Sequence, residues 1–374
     1  MTITKVLLEN YKSHSRTEIP LRPLTVLVGP NSVGKTSVLE AIWMVVEAST
    51  ASRHWFFDEQ DTARIRRGTD RCEVQLSGEE GGASRLWVSI GRSERDPAMF
   101  QESIGWERGG KSVVRTVSAG QAKRVDVAAS RAVTAMVGSA TQLRLDADAL
   151  AAPSTIELGE STTNLLPSGQ GLAGVLALMQ VFRRERFNAV VSAMKRMVPS
   201  LQAINIKLTK FNETRRIYDE HGESEERTFE LDGAELYFDF VGGTDIAASA
   251  VSEGTLIALG VLTAAHQDGE RRLMLLDDIE RALHPRAQRE LIRMLRLIIA
   301  DNPQLQIIAT SHSPYLVDEF EPEEVIVFAQ RKDGTSAARP LSEHPRIKQA
   351  LEVLTTGEFL AAEEEAWVTG ESDG

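Results

Sequence analysis

Leu24-Thr25-Val26-Leu27-Val28-Gly29-Pro30-Asn31-Ser32-Val33-Gly34-Lys35-Thr36-Ser37 is the stretch that decides the fold. Five apolar or β-branched residues read as a buried strand, and Val38, Leu39, Ile42, Val45 and Val46 then recur at helix spacing. Between them Gly29 to Thr36 fills the pattern G-x-x-x-x-G-K-[ST]. A strand before that pattern and a helix after it are the context that makes it a phosphate loop. Gly29 and Gly34 let the backbone curl so that loop N–H groups point inward at phosphate oxygens, and the helix adds its positive N-terminus. All nine residues, Gly29, Pro30, Asn31, Ser32, Val33, Gly34, Lys35, Thr36 and Ser37, are therefore candidates for binding a nucleoside triphosphate. Lys35 would reach the β- and γ-phosphates, and the Thr36 hydroxyl would ligate Mg²⁺.

Two later stretches end strands in chemistry. Leu273-Met274-Leu275-Leu276 runs into Asp277-Asp278-Ile279-Glu280, and acids at the C-terminal edge of a parallel sheet lie where ligands bind. Asp277 is the candidate Mg²⁺ ligand and Asp278 the candidate for positioning or activating the attacking water. Leu305 to Ala309 is the next strand. It runs into Thr310-Ser311-His312-Ser313-Pro314, where His312 can hydrogen-bond a γ-phosphate or the water.

The phosphate loop, Val251-Ser252-Glu253-Gly254-Thr255, Leu275 to Pro285 and Thr310 to Pro314 appear in that order. As a set they resemble the ATP-binding-cassette class of head domains, most closely the SMC/RecF-like branch that includes the OLD-type ATPases. Asn10-Tyr11-Lys12-Ser13-His14 resembles the early segment of such heads, and Leu166 to Ala173 resembles the start of a shared helical segment. The resemblance implies ATP and Mg²⁺ as ligands and a homodimer that closes on ATP and opens on hydrolysis. Ser252, Glu253 and Gly254 then stand at the signature motif, contacting the γ-phosphate across the dimer. Two departures stand out. The family usually has Asp-Glu where this chain has Asp277-Asp278, so hydrolysis is expected to be slow or to await a partner, unless Glu280 substitutes. The Mg²⁺-sensing glutamine is either Gln142 or Gln170.

The expected fold is α/β, a P-loop NTPase of ABC/SMC-head type: a mostly parallel sheet flanked by helices, with a β-rich N-terminal lobe and a helical and β insertion. The lobes are expected at 1–160 (phosphate loop and β-rich segment), 161–245 (insertion) and 246–374 (signature, acidic strand end and histidine). Residues 51 to 135 read as polar and irregular with short β pieces at Leu86 to Ile90 and Val113 to Val117, and Gly78, Gly81, Gly82, Gly109 and Gly110 mark turns. Residues 170 to 198 read as helical and 201 to 241 as strands. The acidic tail from Glu363 reads as a frayed end.

The chain has 374 residues, 42% hydrophobic and 26% charged, with one cysteine, Cys72. That excludes a disordered chain, a disulfide scaffold and a cysteine metal cluster, and it points to the cytoplasm. No apolar run approaches the ~18 residues of a membrane span, and the start is not that of a signal peptide. The absence of sustained heptads excludes a long SMC rod. A transporter ATPase is the minor alternative, against which stand the 223 positions between Gly29 and Ser252. Only 46 residues follow Phe328, so no fused nuclease is expected. A net charge of −12 argues against indiscriminate nucleic-acid binding. Arginines nonetheless cluster at Arg64, Arg66, Arg67 and Arg71, and basic residues recur from Arg183 to Arg216. Two functions follow: an ATPase of DNA transactions, in repair or in defence against foreign DNA, or a slow switch subunit controlling a separately encoded effector.

Overall fold

The computed structural model describes residues 2–50, 63–79, 83–93, 100–108, 111–118, 139–156, 165–218, 224–267, 272–363 and 366–370. Its strands in chain order are β1 (Thr2–Tyr11), β2 (His14–Pro20), β3 (Leu24–Val28), β4 (Arg71–Glu79), β5 (Ala83–Arg92), β6 (Phe100–Arg108), β7 (Lys111–Ser118), β8 (Ser139–Leu143), β9 (Ser154–Thr155), β10 (Leu201–Tyr218), β11 (Ser224–Phe240), β12 (Gly243–Ala247), β13 (Arg272–Leu276), β14 (Leu305–Ser311), β15 (Val325–Gln330) and β16 (Ser336–Pro340). The chain divides into two compact units. One is Met1–Gln142, Gly269–Glu280 and Ile299–Gly374; the other is Leu143–Asp268 and Arg281–Ile298.

The first unit contains two sheets and the helix Lys35–Thr50. One sheet, ordered β2-β1-β4-β5-β6-β7, is antiparallel throughout. Ile3, Val6 and Leu8 on β1, Cys72, Val74 and Leu76 on β4, and Leu86, Val88 and Ile90 on β5 alternate into one buried face. The other sheet is ordered β16-β15-β3-β14-β13-β8, with β15, β3, β14 and β13 parallel. Every residue of β3 and β14 is buried, the continuous pattern of strands covered on both faces. The helix buries Val38, Leu39, Ala41, Ile42, Met44, Val45 and Val46 in one core with residues of both sheets, so apolar side chains run nearly all the way round it.

The second unit is built on the long hairpin of β10 and β11, which β12 and β9 extend. It also carries the helices Leu172–Phe182, Arg184–Met197 and Glu253–His266. Gly174 is required there by close approach, since a Cβ would stand 2.5 Å from the Thr155 carbonyl oxygen.

The β pieces expected at Leu86 to Ile90 and Val113 to Val117 fall inside β5 and β7, but the meander β4 to β7 is longer and more regular than the expectation of a mostly irregular segment. Polar residues on its solvent face masked the alternation, and Gly78 sits inside β4, paired with Ser84, not in a turn. Gly81, Gly82, Gly109 and Gly110 lie outside the described residues. The expectation of a frayed acidic tail is also corrected over Ala366–Thr369, a helical turn with Val368 buried. No helix among the described residues is long and apolar enough to cross a membrane.

One side chain ties the two sheets of the first unit. The buried Gln306 of β14 accepts the Ile3 N–H on Oε1 at 2.9 Å, and its Nε2 donates to the carbonyls of Ile3 at 2.7 Å and Arg22 at 3.1 Å. Gln306→Met leaves those backbone groups without partners, and each orphaned buried group costs about 1–3 kcal/mol. Urea denaturation is expected to show a loss of about 2–3 kcal/mol; an unchanged midpoint would mean the groups find other partners.

Candidate active site

Parallel pairing brings three strand ends to one edge of the second sheet. Val28 of β3 pairs with Ser311 of β14, and Leu276 of β13 with Ala309. The phosphate loop, the acids and His312 leave the sheet from those ends. Gly29 has φ +140° and Gly34 φ +98°, and Ser32 also lies in the left-handed region. A Cβ on Gly29 would stand 2.4 Å from the Phe328 carbonyl oxygen, so the loop leaves β3 against neighbouring backbone. Val33 is buried in the core, which anchors the loop, while Pro30, Asn31 and Ser32 are exposed. The buried Lys35 ammonium donates to the carbonyls of Gly29 at 2.9 Å and Pro30 at 2.6 Å.

Gly34 is enclosed by the turn between β1 and β2. A Cβ there would stand 2.6 Å from His14 Nε2, 2.7 Å from Ser336 Oγ and 2.8 Å from Ser13 Oγ. His14 is fully buried. Its Nε2 lies 3.2 Å from the Gly34 carbonyl oxygen and its Nδ1 3.0 Å from Thr17 Oγ1. A carbonyl only accepts, so Nε2 carries the proton and Nδ1 accepts from Thr17. Burial, the largest cause, with Lys12 nearby, pushes the His14 pKa down to about 4, against the hydrogen bond to Gly34. Lys12 itself pairs with Glu40 of the phosphate-loop helix.

Asp277 sits where the loop and the acids meet. Its Oδ1 accepts the Thr36 hydroxyl at 3.0 Å and the Thr310 hydroxyl at 2.8 Å. A hydroxyl and a carboxylate are hard oxygen donors of the kind Mg²⁺ takes, so Thr36 and Asp277 fit that ion. Asp278 is in the left-handed region at φ +52°, and its N–H donates to Thr310 Oγ1 at 2.8 Å. His312 Nε2 stands 3.9 Å from Asp278 Oδ1. Glu280 accepts the His312 backbone N–H on Oε1, so its carboxylate joins the ends of β13 and β14. The structure thus gathers Lys35, Thr36, Asp277, Asp278, Glu280 and His312. The resemblance put the segment Asn10 to His14 near the nucleotide, but sequence reading gave neither His14 nor Thr310 a role, although both lay inside motifs it singled out.

Ser252, Glu253 and Gly254 belong to the second unit. Ser252 caps the helix Glu253–His266, its Oγ accepting from the Thr255 N–H at 3.4 Å. Gly254 packs on the turn after the acids, where a Cβ would stand 2.5 Å from the Ala282 carbonyl oxygen, and Arg281 pairs with Glu253. Gln142 lies on β8, beside β13, and Gln170 in the turn before the helix Leu172–Phe182. Many of the basic side chains between 183 and 216 have partners. Lys207 pairs with Asp245, Lys210 with Glu230 and Arg216 with Glu226, and Arg186 donates to the His266 carbonyl. Arg64 and Arg66 exchange backbone hydrogen bonds with Lys12 and Asn10, beside the loop. Cys72 is buried and its thiol is pushed up to about 11, chiefly by burial, so it is not a nucleophile.

Parallel sheet, phosphate loop and acidic strand end are those of the P-loop NTPase fold. A family described as an AAA domain, putative AbiEii toxin, type IV TA system, matches residues 161–318, and an AAA ATPase domain family matches residues 1–96. Over 130 residues, 33% of this chain and 13% of the relative, the chain is 36% identical to the DNA double-strand break repair Rad50 ATPase of Methanopyrus kandleri. It is 25% identical over 340 residues to the OLD nuclease of Thermus scotoductus, covering 84% of this chain and 60% of that one. The chain therefore spans less than two thirds of either relative. A solved SMC head bound to the C-winged helix domain of ScpA superposes with a TM-score of 0.56 at 16% identity, covering 93% of this chain and 100% of that one. The fold is that of an SMC head, and the resemblance to SMC/RecF-like ATPases implied by the motifs is borne out.

The neutral His14 gives this edge a pH signature. Its folded pKa of about 4 lies below the usual 6.5, so between those values the unfolded chain binds more protons. The contribution is fully present above pH 6.5 and is lost as pH falls toward 4, amounting to about 3 kcal/mol at ~1.4 kcal/mol per unit. His14→Gln is expected to lose about 2–3 kcal/mol less than the wild type between pH 7.5 and pH 4.5 in urea unfolding. Equal losses would mean that His14 is not held neutral.

Proposed function

We propose that this chain binds ATP with Mg²⁺ and hydrolyses it, closing as a homodimer on ATP, and that it acts in DNA transactions, in repair or in defence against foreign DNA. The observation that carries the reading is the convergence of the Thr36 and Asp277 oxygens beside the buried Lys35 ammonium. The loop N–H groups and Lys35 hold the β- and γ-phosphates, and Thr36 and Asp277 hold Mg²⁺, which when bound neutralises phosphate charge. Asp278 orients the attacking water and accepts its proton, with His312 hydrogen-bonding the γ-phosphate or the water. The capped helix N-terminus at Ser252, Glu253 and Gly254 of one protomer meets the γ-phosphate held by its partner, as in the heads the chain resembles. Because the γ-phosphate is bound well only in the closed dimer, ATP shifts the population toward it.

A second reading, a slow switch that controls a separately encoded effector, is favoured by one feature of the site. Asp278 stands where the family usually carries the longer Glu, and the only glutamate nearby in the motif, Glu280, is engaged by the His312 backbone. The ion pairs along β10 and β11 also leave fewer basic groups for a DNA groove there.

Steady-state turnover tests both. Lys35→Ala is expected to lower turnover by about 10²-fold or more, the scale of losing one charge-stabilising donor; near-normal turnover would show that the phosphates are bound elsewhere. Asp278→Glu is expected to raise turnover, because the longer side chain reaches the water, and a fall would mean the site is built around Asp. Under the DNA reading, duplex DNA stimulates turnover at low salt and the effect fades as salt rises. Turnover indifferent to DNA at every salt would favour the switch.

A further inference from the structure

Thr310 lies between the two acids and has been given no role. It is fully buried near the end of β14, the strand between β3 and β13. Backbone pairing of β13 with β14 stops at Leu276 and Ala309, one residue earlier. Beyond that point Thr310 takes up the departing chain at Asp277 to Ile279, before Glu280 meets the His312 N–H. Its hydroxyl donates to Asp277 Oδ1 at 2.8 Å and accepts the Asp278 N–H at 2.8 Å, and its carbonyl accepts the Ile279 N–H at 3.2 Å. The direction of each bond is fixed by chemistry. An N–H only donates and an ionised carboxylate only accepts, so the single hydroxyl proton must go to Asp277. The same oxygen, Oδ1, takes the Thr36 hydroxyl, so the carboxylate is aimed by one hydroxyl from the phosphate-loop helix and one from the neighbouring strand. The left-handed backbone at Asp278, unusual for a residue with a side chain, is held by its N–H bond to Thr310.

We propose that Thr310 is the positioning residue of this site, its one hydroxyl orienting the carboxylate of Asp277 toward Mg²⁺ and the backbone of Asp278 toward the water. The inference rests on the Mg²⁺·ATP reading above. It assigns to Thr310 the part that partners of metal-ligating carboxylates play, whose loss costs about 10–100-fold in metal affinity or activity.

Thr310→Val keeps the shape of the side chain and removes the hydroxyl, whereas Thr310→Ser keeps the hydroxyl. Binding of a fluorescent, non-hydrolysed ATP analogue is measured with Mg²⁺ and with EDTA, beside a Mg²⁺ titration of turnover and a melting curve without nucleotide. The expected result has three parts. Thr310→Val binds the analogue in EDTA as the wild type does, but its Mg²⁺-dependent gain in affinity falls by about 10–100-fold. It also needs correspondingly more Mg²⁺ for half-maximal turnover, and Thr310→Ser restores both. Retention of the full Mg²⁺-dependent gain by Thr310→Val overturns the proposal, and so does failure of Thr310→Ser to restore it. Should the valine variant not fold, Thr310→Ala, which leaves room in place of strain, is read against the same outcomes. A wild type with no Mg²⁺-dependent gain would instead sink the reading of Thr36 and Asp277, before any Thr310 variant is compared.

Discussion

Parallel pairing of β3, β14 and β13 is the constraint on which the rest of the first unit depends. Three strands running the same way must end at the same edge, and their register sets Val28 opposite Ser311 with Leu276 two residues short of that line. Parallel strands cannot be joined by tight turns, so each must be reached by a crossover. The element that leaves β3 is the phosphate-loop helix, whose N-terminus therefore lies at the same edge as Asp277 and His312. The chemistry is assembled by topology before any side chain is chosen. What the side chains add is aim: the Thr36 and Thr310 hydroxyls on Asp277, and the Glu280 carboxylate on the backbone of His312.

The groups around that edge are closely packed at its two loop glycines. Gly29 and Gly34 hold positive φ with neighbours closer than any Cβ allows. Gly34 is pressed between Ser13, His14 and Ser336, residues of the turn before β2 and of β2 and β16. The antiparallel sheet thus serves the phosphate loop from behind. A buried imidazole is costly when charged, and here burial outweighs the carbonyl that would favour protonation. The neutral ring can donate to Gly34 on one side and accept from Thr17 on the other, so both nitrogens are satisfied without a buried charge.

Legibility in the sequence followed the range of the interactions. The phosphate loop, the acids and His312 were readable because each is a local pattern at the end of a local strand, and spacing alone told strand from helix. The meander β4 to β7 was less so, because half of its residues face solvent and break up the alternation on which the eye depends. The ties that aim the site were not readable at all. Gln306 reaches back 303 positions to Ile3, Thr310 33 positions to Asp277, and His14 20 positions to Gly34. Each is a polar residue in a buried setting, which a linear reading treats as ordinary strand or turn. The ion pairs of Lys207, Lys210 and Arg216 were hidden in the same way, since their acids come from β11 and β12.

The three acids after β13 illustrate how one motif separates into different tasks through surroundings alone. Asp277 has its Oδ1 taken by two hydroxyls, which fix the direction of its carboxylate. Glu280 spends one oxygen on a backbone N–H, so it joins strand ends and cannot swing toward a phosphate without releasing His312. Asp278 sits in a left-handed backbone with its side chain half-exposed, near His312 but not in hydrogen-bond contact with it. Glu280 keeps its Oε2 without a partner but buried, whereas the Asp278 side chain is half-exposed, so of those two carboxylates it is Asp278 that water can reach.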